Sequence, residues 1–245
     1  ENVRLFEERL ILNAGIAKDW FYQKIVDRLA NTAYSTKPSP TLLNYGVVVK
    51  ATPNAQVYFN HSETGHQINN PPVAGSLVLD QDLSTQNEVG ARFYTADHRA
   101  VLTISHFKIS QDNFLIVNPG LYTFPPPAPG TVLPFIVSNR VCKGWEAEVN
   151  ISLTNNISFV GNYTDFKNRN AYDVPFRGTA ERSGAAWLQY KKKNGALRGL
   201  GLGFGVTYMD KRPGDQGSGL AAASTSTNPI PNQPTFYLPA VKLIN

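Results

Sequence analysis

Two short groups of residues have the types and spacing of known catalytic or metal-binding sites. His61 and His66 flank Glu63, and two histidines with a carboxylate can bind a metal ion. Ser105 and Lys108 have the Ser-x-x-Lys spacing of penicillin-recognising enzymes, which need both side chains on one helical face. On a strand these two side chains point in opposite directions, and the histidines fall in a predicted loop without a third fixed ligand. We therefore predict neither a metal site nor this nucleophile.

A pair of carboxylates, Glu146 and Glu148, shares one face of a predicted strand, as paired-carboxylate catalysis requires. Polar residues at alternate strand positions more commonly line a polar interior. The sequence contains no Gly-x-Ser-x-Gly, no phosphate-binding loop and no His-Glu-x-x-His motif. It therefore predicts a protein that is not an enzyme and that carries no cofactor.

Composition narrows the class of protein further. Of the 245 residues, 17% are charged, below the roughly 25% of soluble domains. The net charge is +5, but the only basic run, 191–193, adjoins a predicted turn at Asn194-Gly195, so we expect no nucleic-acid partner. The single cysteine, Cys142, excludes an intrachain disulfide. No stretch reaches the ~18 apolar residues of a membrane helix.

The elements that must position these side chains are strands. In LRGLGLGFGVTY (197–208), large apolar residues from Leu200 to Tyr208 alternate with glycines from Gly199 to Gly205, and period-two alternation is typical of a strand. Glycine in a strand often marks the close approach of another group. Further strand patterns occur at 9–17, 44–51, 55–61, 87–93, 99–113, 144–151, 157–166 and 184–190.

Short and long connections alternate along the chain. Tight turns are predicted at Glu7-Glu8, 52–54, 95–98, 154–156 and 192–195. Long segments are predicted at about 28–41, 62–84, 114–136, 168–182 and 211–236. Short turns at one end and long loops at the other are typical of transmembrane β-barrels. A soluble β-sandwich or lipocalin-like barrel has the same alternation with its apolar face inward, and stays open as an alternative.

For a membrane barrel, the sequence predicts which side chains contact lipid. The predicted outward positions are Leu200, Leu202, Phe204, Val206, Trp145, Ala147 and Val149, and the predicted inward positions are Glu146, Glu148 and the glycines.

Six segments occur in the order seen in TonB-dependent outer-membrane receptors, and the chain most closely resembles the siderophore-receptor branch. They are RLILNAGIAKD, LLNYGVVVKATPNAQVYFNHSE, QNEVGARFYTADHRAVLTISHFKISQDN, VSNRVCKGWEAEVNISLTNNISFVGNYTDFK, AAWLQYKKKNGALRGLGLGFGVTYMDKR and FYLPA. The resemblance implies an all-β, antiparallel, up-and-down transmembrane barrel of 22 strands in the bacterial outer membrane. Residues 1–245 would supply about ten of these strands, as an internal C-terminal-half fragment without the plug domain.

The resemblance also implies partners and a function. The expected function is active transport of a scarce nutrient, most simply a ferric siderophore, driven by the TonB complex through a missing N-terminal region. A non-transporting β-barrel or β-sandwich binding or adhesion protein is the alternative, and a simple porin is a weaker one. From the residues themselves, we predict that Tyr122, Phe124, Arg169 and Tyr172 bind the ligand, because they combine stiff loops, aromatic area and positive charge.

Overall fold

The computed structural model describes residues 1–28, 31–66, 82–118, 128, 135–215 and 230–245, which contain fifteen strands. The strands are β1 (Asn2–Leu5), β2 (Leu10–Lys18), β3 (Gln23–Asp27), β4 (Thr32–Thr36), β5 (Thr41–Thr52), β6 (Ala55–His66), β7 (Asp82–Tyr94), β8 (Ala100–Val117), β9 (Phe135–Ser152), β10 (Ile157–Asn170), β11 (Arg182–Lys191), β12 (Gly201–Met209), β13 (Arg212–Pro213), β14 (Tyr237–Leu238) and β15 (Val241–Ile244). Within these ranges, no helix has the length and apolar character needed to cross a membrane.

Eleven strands form one antiparallel sheet in the order β1-β2-β5-β6-β7-β8-β9-β10-β11-β12-β15. Each strand of this sheet pairs with the strands of the same sheet that precede and follow it in the sequence, so the topology is up-and-down, as predicted. The expected number of about ten strands is close to the eleven observed. Within the described residues the sheet is open, because β1 and β15 each pair along only one edge.

The strand ends that flank the long connections all lie at one end of the sheet. Because neighbouring strands of the sheet are antiparallel, successive connections fall alternately at its two ends. The short-turn end has the connections 6–9, 53–54, 95–99, 153–156 and 192–200. The long-loop end has the connections 19–40, 67–81, 118–134, 171–181 and 210–240. The predicted alternation is confirmed.

One predicted loop is wrong: the segment 28–41 contains β4, which pairs with β3. The register of this pair continues that of β2 and β5 without a shift. Lys18 pairs with Thr41, and Gln23 pairs with Thr36, five residues on along one strand and five back along the other. Pro38 and Pro40 have no amide N–H and are unusual within a strand, so the sequence suggested a loop here. The two strands nevertheless stay paired, because the carbonyls of both prolines accept hydrogen bonds from the opposite strand. Residues 10–28 and 31–52 therefore form the two arms of one long hairpin.

The two faces of the eleven-stranded sheet differ in polarity. We call the face that carries Leu202 the outer face and the face that carries Gly203 the inner face. Exposed apolar side chains on the outer face include Val3, Leu12, Ile16, Leu43, Val57, Val89, Phe93, Leu102, Trp145, Leu188, Leu202 and Phe204. No second layer of described residues covers Leu202, which is 64% exposed.

The predicted division between the faces is confirmed. The register places Trp145, Ala147, Val149, Leu202, Phe204 and Val206 on the outer face, and Glu146, Glu148, Gly201, Gly203 and Gly205 on the inner face. Two boundary residues differ from prediction, because β12 begins at Gly201. Gly199 lies in the preceding turn with φ +96°, a left-handed conformation that glycine adopts readily, and Leu200 accepts a turn hydrogen bond from Lys192.

The inner-face glycines make room for an aromatic ring of the same sheet. The indole of Trp187, directly opposite Gly205, lies against Gly203 and Gly205, and a Cβ atom on either glycine would overlap the ring. The ring of Tyr58 lies in the same way against Gly90, its cross-strand partner. The close approach that glycine signalled is therefore made by neighbouring strands of this sheet.

We predict that an Arg at Leu202 destabilises the receptor that contains this chain. Leu202 is the second residue of β12 and pairs with Tyr190 at the short-turn end, so Leu202→Arg should lower the free energy of unfolding by up to about 1 kcal/mol, because the charge loses only part of its hydration near the interface. Urea titration in lipid vesicles measures this loss. The matched control is Gln189→Arg, on the inner face opposite Gly203. An equal loss in both variants would contradict a lipid-facing Leu202.

We also predict that Gly203 and Gly205 are coupled to Trp187. Gly203→Ala and Gly205→Ala should each cost about 1–3 kcal/mol of unfolding free energy, because the new methyl group overlaps the indole. In a Trp187→Ala background the same changes should cost much less, giving a non-additive double-mutant cycle. Additive losses, measured by the same titration, would show that the indole does not restrict these positions.

Candidate functional site

A polar concave surface lies on the inner face, across β6 to β10. We call the inner-face residues that line it the inner-face cluster: Tyr58, Glu88, Arg92, Thr103, Ser105, Glu146, Glu148, Asn162 and Thr164. The concavity has a volume of about 510 Å³. Alternation places the polar members on one face because successive residues of each strand point to opposite sides.

Hydrogen bonds between neighbouring strands organise the centre of this cluster. The Tyr58 hydroxyl donates to Oε1 of Glu88 at 2.7 Å, and Nε2 of Gln86 donates to Oε2 of the same carboxylate at 3.2 Å. On the next strand pair, Nε of Arg92 donates to Oγ1 of Thr103 at 3.3 Å. Both oxygens of the Glu88 carboxylate are therefore engaged within the wall itself.

Two further carboxylates, at Glu146 and Glu148, extend the cluster along β9. Nδ2 of Asn150 donates to Oε1 of Glu148 at 2.9 Å. The Glu146 carboxylate forms no hydrogen bond or ion pair with the described residues. With Glu88 the cluster carries three carboxylates against the single guanidinium of Arg92. Such a wall suits water or a polar, cationic surface and is unsuited to lipid.

The residues that suggested catalysis or metal binding are separated by the sheet. Ser105 lies buried on the inner face, whereas Lys108 pairs with Lys143 on the outer face. On the outer face, His61 contacts Asn87 Oδ1 at 2.8 Å and Glu63 Oε1 at 3.5 Å. No group of three His, Cys, Asp or Glu side chains that could hold a metal occurs in the part of the chain that the structure describes.

Of the four predicted ligand-binding residues, two can be placed. Tyr122 and Phe124 lie outside the described residues. Arg169 and Tyr172 lie at the long-loop end, where β10 leads into the 171–181 connection. The Arg169 guanidinium forms ion pairs with Glu181 and, at 3.7 Å, with Asp173. These contacts give Arg169 a role in the loop's own structure, and its role in ligand binding stays a prediction.

The 171–181 loop is held by side-chain to backbone hydrogen bonds. Oδ1 of Asn170 accepts from the backbone amides of Tyr172 at 2.9 Å and Val174 at 3.0 Å. Asp173 between them has φ +58°, the left-handed conformation that Asp tolerates in such turns. The turn folds Val174 inward, where it is buried.

This loop also contacts the next long connection. The Gly178 amide donates to the Pro213 carbonyl at 2.8 Å, which links the 171–181 loop to the β13–β14 pair. Within that connection, the Thr235 hydroxyl donates to Asp215 at 2.7 Å and lowers the pKa of this carboxyl from its ordinary value. The described parts of the two loops therefore form one linked surface at the long-loop end.

Sequence analysis missed Tyr58 and Trp187 as organising residues. Tyr58 lies in a predicted strand, so alternation could have assigned it a face. Its contacts with Glu88 and Gly90, and those of Trp187 with two glycines, depend on cross-strand register, which has no local sequence signal.

Comparison with known families and proteins gives consistent results. Residues 1–242 match the family described as TonB dependent receptor-like, beta-barrel. Among curated proteins, the chain is 24% identical over 222 residues to an uncharacterized TonB-dependent receptor of Haemophilus influenzae, covering 85% of this chain and 61% of that protein. It is 22% identical over 222 residues to the ferrichrome outer membrane transporter/phage receptor of Escherichia coli, covering 89% of this chain and 28% of that protein.

Solved structures with the same fold are similar over nearly the whole chain. The ferric-catecholate import receptor of E. coli K12 matches with a TM-score of 0.69 at 15% identity, covering 99% of this chain and 36% of that chain. The ferripyoverdine receptor of Pseudomonas aeruginosa matches with a TM-score of 0.66 at 15% identity, covering 96% and 32%. The chain thus spans less than two thirds of the length of these relatives.

We predict that Asn170 controls opening of the 171–181 loop. Asn170→Ala removes two hydrogen bonds, each worth about 1 kcal/mol. Loop opening, and with it tryptic cleavage after the exposed Arg177, should increase about 5- to 30-fold. Mass spectrometry of peptides ending at Arg177 measures the rate. The control, Asn155→Ala in a turn at the opposite end, should leave it unchanged, and an unchanged rate in Asn170→Ala would contradict the anchoring role.

Proposed function

The chain belongs to the TonB-dependent receptor-like β-barrel family, and on that premise we propose that it forms part of the barrel wall of an active-transport receptor for a ferric siderophore. The family match along residues 1–242 carries the proposal. Proteins of this family lie in the outer membrane of Gram-negative bacteria, and they are receptors for transport rather than enzymes. The ferric ion is cargo in this proposal, and the wall itself holds no cofactor.

The dimensions of the apolar face support a wall in a bilayer. On β9 the outward positions from Trp145 to Ile151 extend about 20 Å at the rise of a strand. This is close to the apolar band of about 25 Å on outer-membrane barrels. Lys143, the next outward position towards the long-loop end, marks the limit of the band. The same face of a soluble protein would be covered by a second layer.

The polarity of the inner face is consistent with a barrel wall that surrounds a plug domain rather than lipid. The inner-face cluster offers carboxylates, amides and hydroxyls that need water or polar partners. A plug domain and the TonB complex are partners that the family implies, and we propose both for the complete receptor. In this arrangement the inner-face cluster contacts the plug, and the plug transmits the force that drives uptake.

Ligand capture is proposed for the long-loop end. Tyr122, Phe124, Arg169 and Tyr172 are the side chains that we propose for this role, because aromatic and guanidinium groups suit an anionic, ring-containing iron chelate. Curated and structural relatives are named for ferrichrome, ferric catecholate and ferripyoverdine, so the chemical class of the siderophore is broad. The linked loops 171–181 and 210–240 provide a supported surface for such contacts.

We expect the complete receptor to import iron as a siderophore complex. In cells that depend on it, uptake of radioactive iron should require the receptor, an intact TonB complex and a ferric catecholate or hydroxamate. Binding without uptake in TonB-competent cells would instead favour a non-transporting binding or adhesion protein.

For the four loop residues, we expect combined alanine substitution to weaken siderophore binding to whole cells by at least about tenfold, the equivalent of one lost charged or aromatic contact. Surface immunolabelling confirms normal display. Arg177→Ala, in the same loop and exposed, is the matched control. Unchanged affinity in the fourfold variant would remove these residues from the site without affecting the transport proposal.

A further inference from the structure

The long hairpin of residues 10–28 and 31–52 continues past the apolar band, and its outer face changes character there. Between β2 and β3 the ladder is maintained by two backbone bonds: Asp19 N–H to Pro40 O at 3.1 Å, and Phe21 N–H to Pro38 O at 3.0 Å. Alternation therefore extends from Ile16 to Lys24 without a change of face. The side chains above the band can be assigned from this register.

The outward positions of the extension include three lysines and two aromatic residues. Those beyond Ile16 and Leu43 are Lys18, Trp20, Tyr22, Lys24, Val26, Ala33, Ser35, Lys37, Ser39 and Thr41. The side chains of Trp20 and Tyr22 are 76% and 60% exposed. Lys37 Nζ lies 5.5 Å from the centroid of the Tyr22 ring, and an open concavity of about 480 Å³ is lined by Trp20, Phe21, Tyr22, Lys37 and Pro38. We call Lys18, Lys24 and Lys37, with the two outward aromatic rings, the lysine patch.

No acidic residue opposes the lysine patch on its own hairpin. Asp19 occupies an inward position, and no described side chain at an outward position of the extension is acidic. On the neighbouring strand, the outward Glu63 carboxylate accepts from the Leu43 amide at 2.8 Å, and its single negative charge offsets only part of the charge of the three lysines. Elsewhere along the same boundary charges are mixed, as where Asp165 faces Arg182. The patch is therefore a local excess of positive charge directly above lipid-facing side chains.

We propose that the lysine patch binds the phosphate groups of a lipid headgroup in the leaflet nearest the long-loop end. Trp and Tyr at this level lie where headgroups meet hydrocarbon, with the ring in the apolar zone and the polar atom in water. Lysines beside them meet the phosphates, which supply the negative charge that the hairpin lacks. The inference rests on the proposed function for the orientation of the sheet in the membrane.

The test uses the full-length receptor in phosphatidylcholine nanodiscs containing either diphosphoryl lipid A or its dephosphorylated form. Native mass spectrometry and titration give the affinity for each lipid. The patch variant combines Lys18→Gln, Lys24→Gln and Lys37→Gln. The matched control combines Lys191→Gln, Lys192→Gln and Lys193→Gln, which removes the same charge at the short-turn end.

We expect the wild type to prefer the phosphorylated lipid, and the patch variant to lose roughly a hundredfold in affinity for it, as three lysines at an anionic surface should contribute. The control variant should retain the wild-type affinity. Equal losses in both variants, no loss in the patch variant, or equal binding of the dephosphorylated lipid would each overturn the proposal.

Siderophore uptake, measured on the same proteins in cells, separates this inference from the proposed function. Normal uptake with no lipid preference overturns only the lysine patch. Absent uptake by the wild type overturns the transport proposal, and the lipid titration still decides the inference. Resistance of the folded barrel to denaturation by detergent without heating confirms that the patch variant is folded.

Discussion

The structure depends on the requirement that every backbone amide and carbonyl in a bilayer has a partner within the protein. Hydrocarbon offers no hydrogen bonds, so a spanning strand is stable only with a neighbour on each edge. Among the described residues, nine of the eleven strands, from β2 to β12 in the order of the sheet, have an antiparallel neighbour on each edge, with register shifts between Lys50 and Thr52 and between Gln111 and Phe114. Since side chains then alternate strictly, one face can be apolar for lipid while the other is polar for a partner.

Close packing on the inner face follows from the same ladder. A single-layered sheet has no core in which to bury aromatic side chains, so Tyr58 and Trp187 pack against glycines of the neighbouring strand. Each ring covers backbone that would otherwise be open to solvent, and it shields the ladder beneath it. The glycines thus serve the wall's own packing, and the carboxylates of Glu146 and Glu148 remain available to a partner.

At the long-loop end the sheet continues into loops, where we propose that the receptor recognises its ligand. The 171–181 loop is anchored by Asn170 and linked to the β13–β14 connection, while the long hairpin carries basic and aromatic side chains outward. One part of this end suits a small anionic ligand approaching from solvent, and the other suits the headgroup layer. Both uses require loops that rise from a rigid sheet, which the ladder provides.

The sequence by itself determined the strands, the two faces and the ends of the sheet. These features are local: the alternation around Leu202 and Val149, and turn residues such as Asn155 and Gly195, act over a few positions. Only the tertiary structure decided which side chains contact one another across neighbouring strands. It placed Trp187 on its glycines, Tyr58 on Glu88 and Arg169 on Glu181, and it joined β3 and β4 to the β2–β5 hairpin through prolines that hid the pattern. Register and loop conformation depend on contacts between residues distant in sequence, and period-two patterning carries no information about them.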